Sequence, residues 1–410
     1  MRIKRSLWQL KQLTCNFSYL DGYKSTLMSS YWQVNLMANQ LKQIALIFFL
    51  IAGAVSCKKN EINNAKDFEK YLEDEMKDQN IPALSALIFK GESILFEGNY
   101  GQANIEDNIN LESTHPFLLA SISKTITGVA LLQLYEDGLF SLDDPINDYL
   151  SFTVNGPEET TPITFKMLLT HTSGIADGPA LDGQYYYGVD SPVALDYFLE
   201  NYLVSGGEFY SATENYYDFE PGTDIEYSNM GNALIGVLVE EISGMSFNAY
   251  CKEKIFTPMG MTHTSWRLDE ITGTIVMPYN YSGGDYEAIG HYTFTDYPNG
   301  GLRSTANDMF KFLSAIAQNG TYGGVELLNA TTVNAMTSLQ IPDLDDETGL
   351  HFFIMNKDNE LWGHDGGEQG VATIMAYNKS TKVGAIILSN QGEVNLDKIL
   401  EEAYLLGLKL

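Results

Sequence analysis

Apolar residues recur along this chain with two spacings, and each spacing predicts one kind of element. A helical spacing runs over residues 65–79, and a second begins at or near Ser121 and continues to Gly138. Short apolar runs at 83–89 and 93–96, separated by turn residues, predict a β-hairpin. The first part of the folded region is therefore predicted to be a helix, a hairpin and a second helix.

The middle of the chain is predicted to be mostly helical. An apolar helix is expected over 234–242, and another is expected to open around Asp308. Residues 178–220 are rich in tyrosine, for which packing in a helical subregion is favoured over an aromatic substrate wall. Residues 268–300 show little periodicity and several glycines, which predicts an irregular loop or a short β excursion.

The last part of the chain returns to β-structure. Apolar runs at 361–367, 372–377 and 383–388 predict three strands, and residues 396–408 predict a closing helix. A hairpin first and a meander last, with helices at both termini, predict an α+β fold. We expect one antiparallel sheet that joins the N- and C-terminal strands, flanked by terminal helices and accompanied by a mostly helical subregion.

The N-terminal residues predict an export signal behind an upstream extension. Residues 44–55 are apolar and follow Lys42, and this run is too short to span a bilayer but suits a signal peptide. The sequence Ala54-Val55-Ser56-Cys57 resembles a bacterial lipobox, whose cysteine is lipidated and becomes the first mature residue. The alternative is an ordinary cleaved signal with an incidental cysteine.

The position of the lipobox predicts a division of the chain into three segments. Residues 1–57 are expected to be the extension and lipoprotein signal, residues 58–64 a tether, and residues 65–410 the folded domain. We expect export to the bacterial cell envelope and attachment to a membrane through a lipid anchor.

The net charge bears on the possible partners, and the cysteine content bears on the possible disulfides. A formal net charge of −29 argues against a nucleic-acid partner, which would need a basic face. If Cys57 is lipidated and Cys15 removed, only Cys251 remains, so no internal disulfide can form. Neither a metal nor another cofactor is expected, because no histidine pair has metal-ligand spacing. The sequence leaves the oligomeric state open.

The pair Ser121 and Lys124 is the candidate catalytic centre. On a helix, positions i and i+3 share one face, and free N–H groups at the helix start can hold a developing oxyanion. A desolvated lysine can lose its charge and accept the serine proton. The S-x-x-K pattern is common, since Ser56-Cys57-Lys58-Lys59 also matches it, and a serine N-cap with a solvated lysine is the alternative.

Seven stretches together resemble the serine β-lactamase-related family, which includes class C β-lactamases, D-alanyl-D-alanine carboxypeptidases and related esterases. The resemblance covers about residue 65 to the C-terminus. In the order of the family, the stretches are Ser121-Ile122-Ser123-Lys124, 168–174, Pro221-Gly222, Tyr227-Ser228-Asn229, 258–261, Gly300-Gly301-Leu302 and His364-Asp365-Gly366.

The resemblance implies a β-lactamase/transpeptidase-like fold and a role for each matching residue. Tyr227 would lie near Ser121 and relay protons with a pKa lowered by Lys124, and Asn229 would orient the lysine and bind the substrate. Tyr297 stands in the same three-letter pattern. Tyr227 is preferred because Pro221-Gly222 precedes it and an apolar helix follows it.

The family's substrate strand corresponds to His364, Gly366 and Gly367. His364 stands where class C β-lactamases usually carry lysine, and it would supply a weaker, pH-dependent positive group for a substrate carboxylate. The backbone N–H groups of Gly367 and Ser121 would form the oxyanion hole. The resemblance makes His171 a residue that buttresses the site rather than a member of a Ser-His-Asp triad.

The resemblance therefore implies a serine hydrolase that forms an acyl-enzyme on Ser121. The substrate would be a small-molecule or peptide ester or amide, with D-amino-acid peptides of cell-wall type among the candidates. One alternative is a true β-lactamase, which His364 disfavours. The other is a non-catalytic penicillin- or peptidoglycan-binding sensor, which the presence of Ser121, Lys124 and Tyr227 disfavours.

Overall fold

A computed structural model describes residues 61–156 and 160–410. A seven-stranded antiparallel sheet forms the centre of this part of the chain. Ile62–Leu410 form one compact unit. In chain order the strands are β1 (Ala83–Lys90), β2 (Ser93–Asn104), β3 (Ile109–Asn110), β4 (Phe117–Leu118), β5 (Tyr185–Tyr187), β6 (Tyr279–Ser282), β7 (Asp285–Ala288), β8 (Tyr292–Phe294), β9 (Arg303–Ser304), β10 (Thr321–Tyr322), β11 (Val325–Glu326), β12 (Phe353–Asn356), β13 (Leu361–Glu368), β14 (Val371–Asn378) and β15 (Val383–Ser389).

The main sheet has the order β12-β13-β14-β15-β1-β2-β3. The α-helices of the described residues are α1 (Ala65–Asp78), α2 (Ser123–Glu136), α3 (Phe165–Leu169), α4 (Leu195–Leu203), α5 (Asn229–Ser243), α6 (Phe247–Cys251), α7 (Ala306–Ala317), α8 (Ala330–Met336) and α9 (Asp397–Gly407). None of the helices in the described residues is both long and apolar enough to cross a bilayer.

The N- and C-terminal strands share this sheet, as the sequence predicted. Strand β1 pairs antiparallel with β15, from Leu84 opposite Ser389 to Lys90 opposite Val383. All residues of β1 except Lys90 are buried, so the strand is covered on both faces.

Alternate side chains of β1 enter two different cores. Leu84, Ala86 and Ile88 join the core beneath α1 and α9, whereas Leu87 and Phe89 join the larger core on the opposite face. This division follows from the period of two along a strand. The sheet therefore lies between the two terminal helices and the mostly helical subregion.

Helix α2 runs through the larger core. Buried polar side chains on it are satisfied locally or by the loop before β9: Thr125 Oγ1 donates to the Ile122 carbonyl and Thr127 Oγ1 to the Pro298 carbonyl, both at 2.7 Å. Lys124 lies among these buried polar residues at the start of α2.

The segments without clear periodicity fold into short structures. Within residues 268–300, β6 and β7 form a hairpin, and β8 pairs with β5 from the tyrosine-rich segment. Tyr202 and Tyr216 are buried and donate to backbone carbonyls, as the packing interpretation expects. Tyr185 instead lines the cleft described below.

The N-terminal predictions fall largely outside the described residues. Cys57, the extension 1–57 and residues 58–60 of the tether belong to this part of the sequence. Within the described residues, Cys251 is buried with a free thiol.

Candidate active site

A strained turn presents Ser121. Residues Ala120–Ile122 form a 3₁₀ turn that leads directly into α2. Ala120 has φ +49°, a left-handed conformation that costs an L-residue roughly 1–2 kcal/mol. Thr373 Oγ1 on β14 donates to the Leu119 carbonyl at 2.7 Å, which helps hold this turn against the sheet.

Strand β13 packs against the same turn, and only glycine fits at the contact. A Cβ on Gly366 would lie 2.5 Å from the Leu119 carbonyl oxygen and 2.9 Å from the Ser121 nitrogen. Gly367 follows on the strand and lines the cleft together with Ser121. The structure thus brings Gly366 and Gly367 to the nucleophile, at positions compatible with the predicted oxyanion hole.

Lys124 is buried beneath Ser121 and is fixed by three contacts. Its Nζ lies 3.1 Å from Ser121 Oγ and donates at 2.7 Å both to Asn229 Oδ1 and to the Asn299 carbonyl. A neutral amine has two N–H donors and one lone pair. With both donors held by Asn229 and Asn299, the remaining lone pair faces the serine hydroxyl.

The protonation state of Lys124 suits a base. Desolvation lowers its pKa to about 7, although Asp177 and further carboxylates oppose this shift. A substantial fraction of the amine is therefore neutral at neutral pH. The sequence had predicted a desolvated lysine, and the structure buries it completely.

Asp177 fixes the orientation of Asn229 and was not singled out from the sequence. Its carboxylate accepts the Asn229 side-chain Nδ2 at 2.8 Å and the backbone N–H groups of Asn229 and Met230 at 3.1 and 2.9 Å. Because a carboxylate only accepts, the amide nitrogen must face Asp177 and the amide oxygen must face Lys124. Asp177 also adds a negative charge at the start of α5.

Tyr227 lies beside the serine–lysine pair. Its hydroxyl makes a hydrogen bond with Ser121, and Lys124 Nζ lies 4.8 Å from the centre of its ring. Tyr297, which shares the three-letter pattern, instead packs against Phe247 and Trp266 at ring-centre distances of 5.9 Å.

The predicted lowering of the Tyr227 pKa is contradicted. Desolvation raises this pKa above its ordinary value, and the hydrogen bond with Ser121 offsets only part of the rise. The side chain is 40% exposed, so solvent moderates the effect. The phenol therefore stays protonated at neutral pH and can donate a proton, while Lys124 is the better base.

Two buried histidines lie behind Tyr227. His171 stacks on the tyrosine ring at a centre-to-centre distance of 4.3 Å and accepts the Ser228 N–H at 3.1 Å through Nδ1. His351 lies 5.1 Å from His171, ring centre to ring centre. Desolvation lowers the pKa of His171 and of His351 well below the ordinary value, so both rings are neutral supports.

The environment of His364 does not support the positive charge predicted for it. The side chain is buried on β13, and Nδ1 is turned toward the Asp365 carbonyl at 2.5 Å. Burial lowers the pKa of His364 to about 3, and the charge on Lys124 contributes to the shift. The imidazole is therefore neutral near pH 7, in contrast to the lysine of class C β-lactamases.

A cleft opens in front of Ser121. Its lining residues are Ala120, Ser121, Leu181, Tyr185, Asn229, Phe294, Asp296, Asn299, Gly300, Gly367 and Glu368. Desolvation raises the pKa of Asp296 to about 6 and that of Glu368 above its ordinary value. Within the described residues, no group of three or more His, Cys, Asp or Glu side chains could hold a metal ion.

The fold and this constellation are those of serine hydrolases that work through an acyl-enzyme, in which a serine is activated by a neighbouring base. The chain belongs to the Beta-lactamase family, whose family model matches residues 68–408. The family resemblance and the predicted α+β, β-lactamase/transpeptidase-like fold are thereby confirmed.

Two curated relatives illustrate the similarity. Penicillin-binding protein 4* of Bacillus subtilis is 26% identical over 353 residues, covering 78% of this chain and 70% of that protein. Protein flp of Staphylococcus aureus is 22% identical over 357 residues, covering 83% of this chain and 66% of that protein. The chain therefore spans just under two thirds of the length of flp.

Solved structures share the fold. A penicillin-binding protein from Bacillus halodurans has 26% identity and a TM-score of 0.64, covering 80% of this chain and 97% of that one. The D-amino acid amidase from Ochrobactrum anthropi, in its complex with D-phenylalanine, has 19% identity and a TM-score of 0.63, with 84% and 99% covered. The second similarity concerns the fold alone.

Sequence reasoning missed four contributors to the site. They are Asp177, Asp296, the Asn299 carbonyl and Glu368. Asp177 and Asp296 lie in loops without periodicity, and the Asn299 contact is made by backbone, which carries no residue-type signal. Glu368, two residues beyond the His364-Asp365-Gly366 stretch, was the one most open to prediction.

Proposed function

We propose that this chain is a serine hydrolase that forms an acyl-enzyme on Ser121 and cleaves an ester or an amide. The observation that carries the proposal is the buried Lys124 amine, 3.1 Å from Ser121 Oγ and with its pKa lowered to about 7. A solvent-exposed lysine would have neither the short distance to Ser121 Oγ nor the lowered pKa.

Three kinds of group take part in acylation: the base Lys124, the oxyanion donors and the acid Tyr227. Lys124 Nζ takes the Ser121 proton as Oγ forms a bond to the substrate carbonyl carbon. The N–H groups of Ser121 and Gly367 would stabilise the oxyanion. The bond to the leaving group then breaks, and the protonated Tyr227 phenol, resupplied from Lys124, gives the departing oxygen or nitrogen a proton.

Deacylation reverses these proton movements with water as the nucleophile. A water molecule gives its proton to the same base and attacks the acyl carbon, and Ser121 leaves as a neutral hydroxyl. D-amino-acid peptides remain candidate substrates, supported by the name of the D-amino acid amidase whose fold is shared.

Intact-protein mass spectrometry after treatment with a fluorophosphonate tests the nucleophile. We expect one adduct per chain, mapped to Ser121 and absent in Ser121→Ala. Ser123→Ala is a matched control, because this neighbouring serine is buried and accepts the Leu302 N–H rather than contacting Lys124. An adduct retained in Ser121→Ala, or none in the wild type, would overturn the proposal.

Penicillin separates the alternatives in the same experiment. A penicilloyl adduct that persists without ester or amide turnover would favour the sensor, and rapid turnover of penicillin would favour a β-lactamase. The neutral His364 supports neither strong carboxylate binding nor the β-lactamase alternative.

We further propose that the protein is lipid-anchored in the bacterial cell envelope through Cys57. The lipobox-like sequence Ala54-Val55-Ser56-Cys57 supports this location. Cell fractionation of a Cys57→Ser variant tests it, because loss of the thiol removes the attachment point. We expect the wild type in the membrane fraction and the variant outside it, and equal membrane recovery would contradict the anchor.

A further inference from the structure

The cleft beside Ser121 is walled by carboxylates rather than by cations. Asp296 and Glu368 line it, and within the described part of the chain its lining includes no lysine, arginine or histidine. Four carboxylates act on the buried Lys124 amine, namely Asp177, Asp296, Glu368 and Asp365. Asp296 and Glu368 of these four line the cleft itself, so a group bound there lies next to carboxylates.

Two basic side chains, His364 and Arg303, do not reach the cleft. His364 is buried, and its Nδ1 faces the Asp365 carbonyl. Arg303 is also buried, and its guanidinium donates to the carbonyls of Tyr292 and Gly301. Neither side chain lines the cleft, so a substrate carboxylate would meet no positive partner there.

The two carboxylates of the wall are held in place by neutral donors. Glu368 accepts the Tyr185 hydroxyl at 3.2 Å and the Gln369 N–H at 2.9 Å. Asp296 accepts the Asn299 side-chain amide. Among the described residues, neither carboxylate has a lysine or arginine within ion-pair distance. Both therefore retain acceptor capacity for a cation that enters the cleft.

The position of Glu368 limits where such a cation can be on the substrate. Glu368 directly follows Gly367 on β13, and both residues line the cleft together with Ser121. Since the Gly367 N–H is the predicted oxyanion donor, a positive group bound by Glu368 would lie near the carbonyl that Ser121 attacks.

We propose that the substrate carries a protonated amine close to the scissile carbonyl and that Glu368 and Asp296 bind this amine. The inference rests on the proposed hydrolase function and names the substrate class for the same site. The acidic wall also disfavours substrates with a carboxylate near the carbonyl, such as penicillins and peptides cleaved next to a free C-terminus.

Two isosteric substrates test the charge requirement. Alanine p-nitroanilide, in both enantiomers, differs from isobutyryl p-nitroanilide by an ammonium in place of a methyl group. At pH 7.0 and low salt, we expect kcat/KM of the full chain to be at least about tenfold higher for one alanyl enantiomer than for isobutyryl. Added NaCl should reduce this ratio, because screening weakens charge recognition.

The Glu368→Gln variant distinguishes recognition of the amine by the protein from the effect of the amine on the reactivity of the carbonyl. We expect the ratio of kcat/KM for the alanyl substrate to that for isobutyryl to fall about tenfold, because any change in the pKa of Lys124 affects both substrates alike. Glu287→Gln removes the same charge from the exposed strand β7 and should leave both values unchanged. An equal change for both substrates in Glu368→Gln, or no alanyl preference in the wild type, would overturn the inference.

Protection of Ser121 from fluorophosphonate extends the test to slow substrates. Alaninamide should slow labelling at concentrations at which isobutyramide does not, and Glu368→Gln should abolish the difference. Labelling of Ser121 with equal protection by both amides would refute the amine site alone. Absence of any labelling would refute the proposed function, so the two failures are distinguishable.

Discussion

At the scale of single residues, the central feature is a lysine whose burial makes it a base. Lys124 is 0% exposed, and its ordinary pKa of 10.5 falls to about 7 because desolvation disfavours the ammonium. Two fixed acceptors, Asn229 Oδ1 and the Asn299 carbonyl, leave its lone pair directed at Ser121. Burial thus sets the protonation state of the amine, and its hydrogen bonds set its orientation.

The pH dependence of activity should report on Lys124. Since its pKa is lowered, the neutral, active form is present above about pH 7 and is lost as the pH falls through that value. On a neutral p-nitrophenyl ester, kcat/KM should rise through pH 7. Asp177→Asn removes a carboxylate that favours the ammonium, so this limb should move to lower pH by about 0.5–1 unit.

Asp143→Asn is the control for the pH experiment, because this exposed carboxylate does not act on Lys124. Its profile should match the wild type. A limb that Asp177→Asn leaves in place, or moves to higher pH, would be inconsistent with Lys124 as the base.

Tyr227 should act through its hydroxyl rather than its ring. Tyr227→Phe retains the stacking on His171 but removes the proton donor, and kcat for an alkyl ester should fall about 10²–10⁴-fold. The loss should be smaller for a p-nitrophenyl ester, whose leaving group needs less protonation. Tyr297→Phe should stay within about twofold, and the reverse order between the two variants would identify Tyr297 as the relay.

At the scale of elements, the site depends on how closely β13 approaches the turn that carries Ser121. Gly366→Ala would place a Cβ 2.5 Å from the Leu119 carbonyl oxygen, which must push the strand and the turn apart. We expect labelling of Ser121 by fluorophosphonate to slow at least tenfold, because the oxyanion donors move apart. Gly183→Ala has nothing within 4 Å of the added Cβ and should label normally.

If Gly366→Ala labels at the wild-type rate, the spacing between β13 and the turn does not control the site. A thermal unfolding curve recorded on the same sample distinguishes a local change from loss of the fold, because a local change leaves a cooperative transition.

At the scale of the whole molecule, the terminal helix layer stabilises a sheet whose other face carries the site. Phe68 on α1 is fully buried and packs edge-on against Phe96 of β2 at 5.2 Å. Phe68→Ala should lower the free energy of unfolding by about 3–5 kcal/mol, measured by urea denaturation. Glu69→Ala on the exposed side should change it by about 0.5 kcal/mol or less.

Labelling of Ser121 in folded Phe68→Ala should remain normal, because this core lies on the opposite face of the sheet from α2. A large loss of labelling without loss of folding would show that the two faces are coupled.

The sequence by itself determined the elements and the order of the motifs. Apolar periodicity depends only on local geometry, so it located α1, the β1–β2 hairpin, α2 and the three C-terminal strands. The spacing of Ser121 and Lys124 likewise follows from one helical turn. The joining of N- and C-terminal strands in one sheet was predicted from the alternation of segments and is confirmed by the β1–β15 pairing.

Only the tertiary structure decided the electrostatics of the site. Asp177, Asp296 and Glu368 come from separate segments that only the fold brings together around Lys124. Burial also set the protonation states: it lowered the pKa of His364 and raised that of Tyr227, against the sequence prediction for each. A pKa depends on solvent exclusion and on charges distant in sequence, and neither is encoded in a residue's local neighbours.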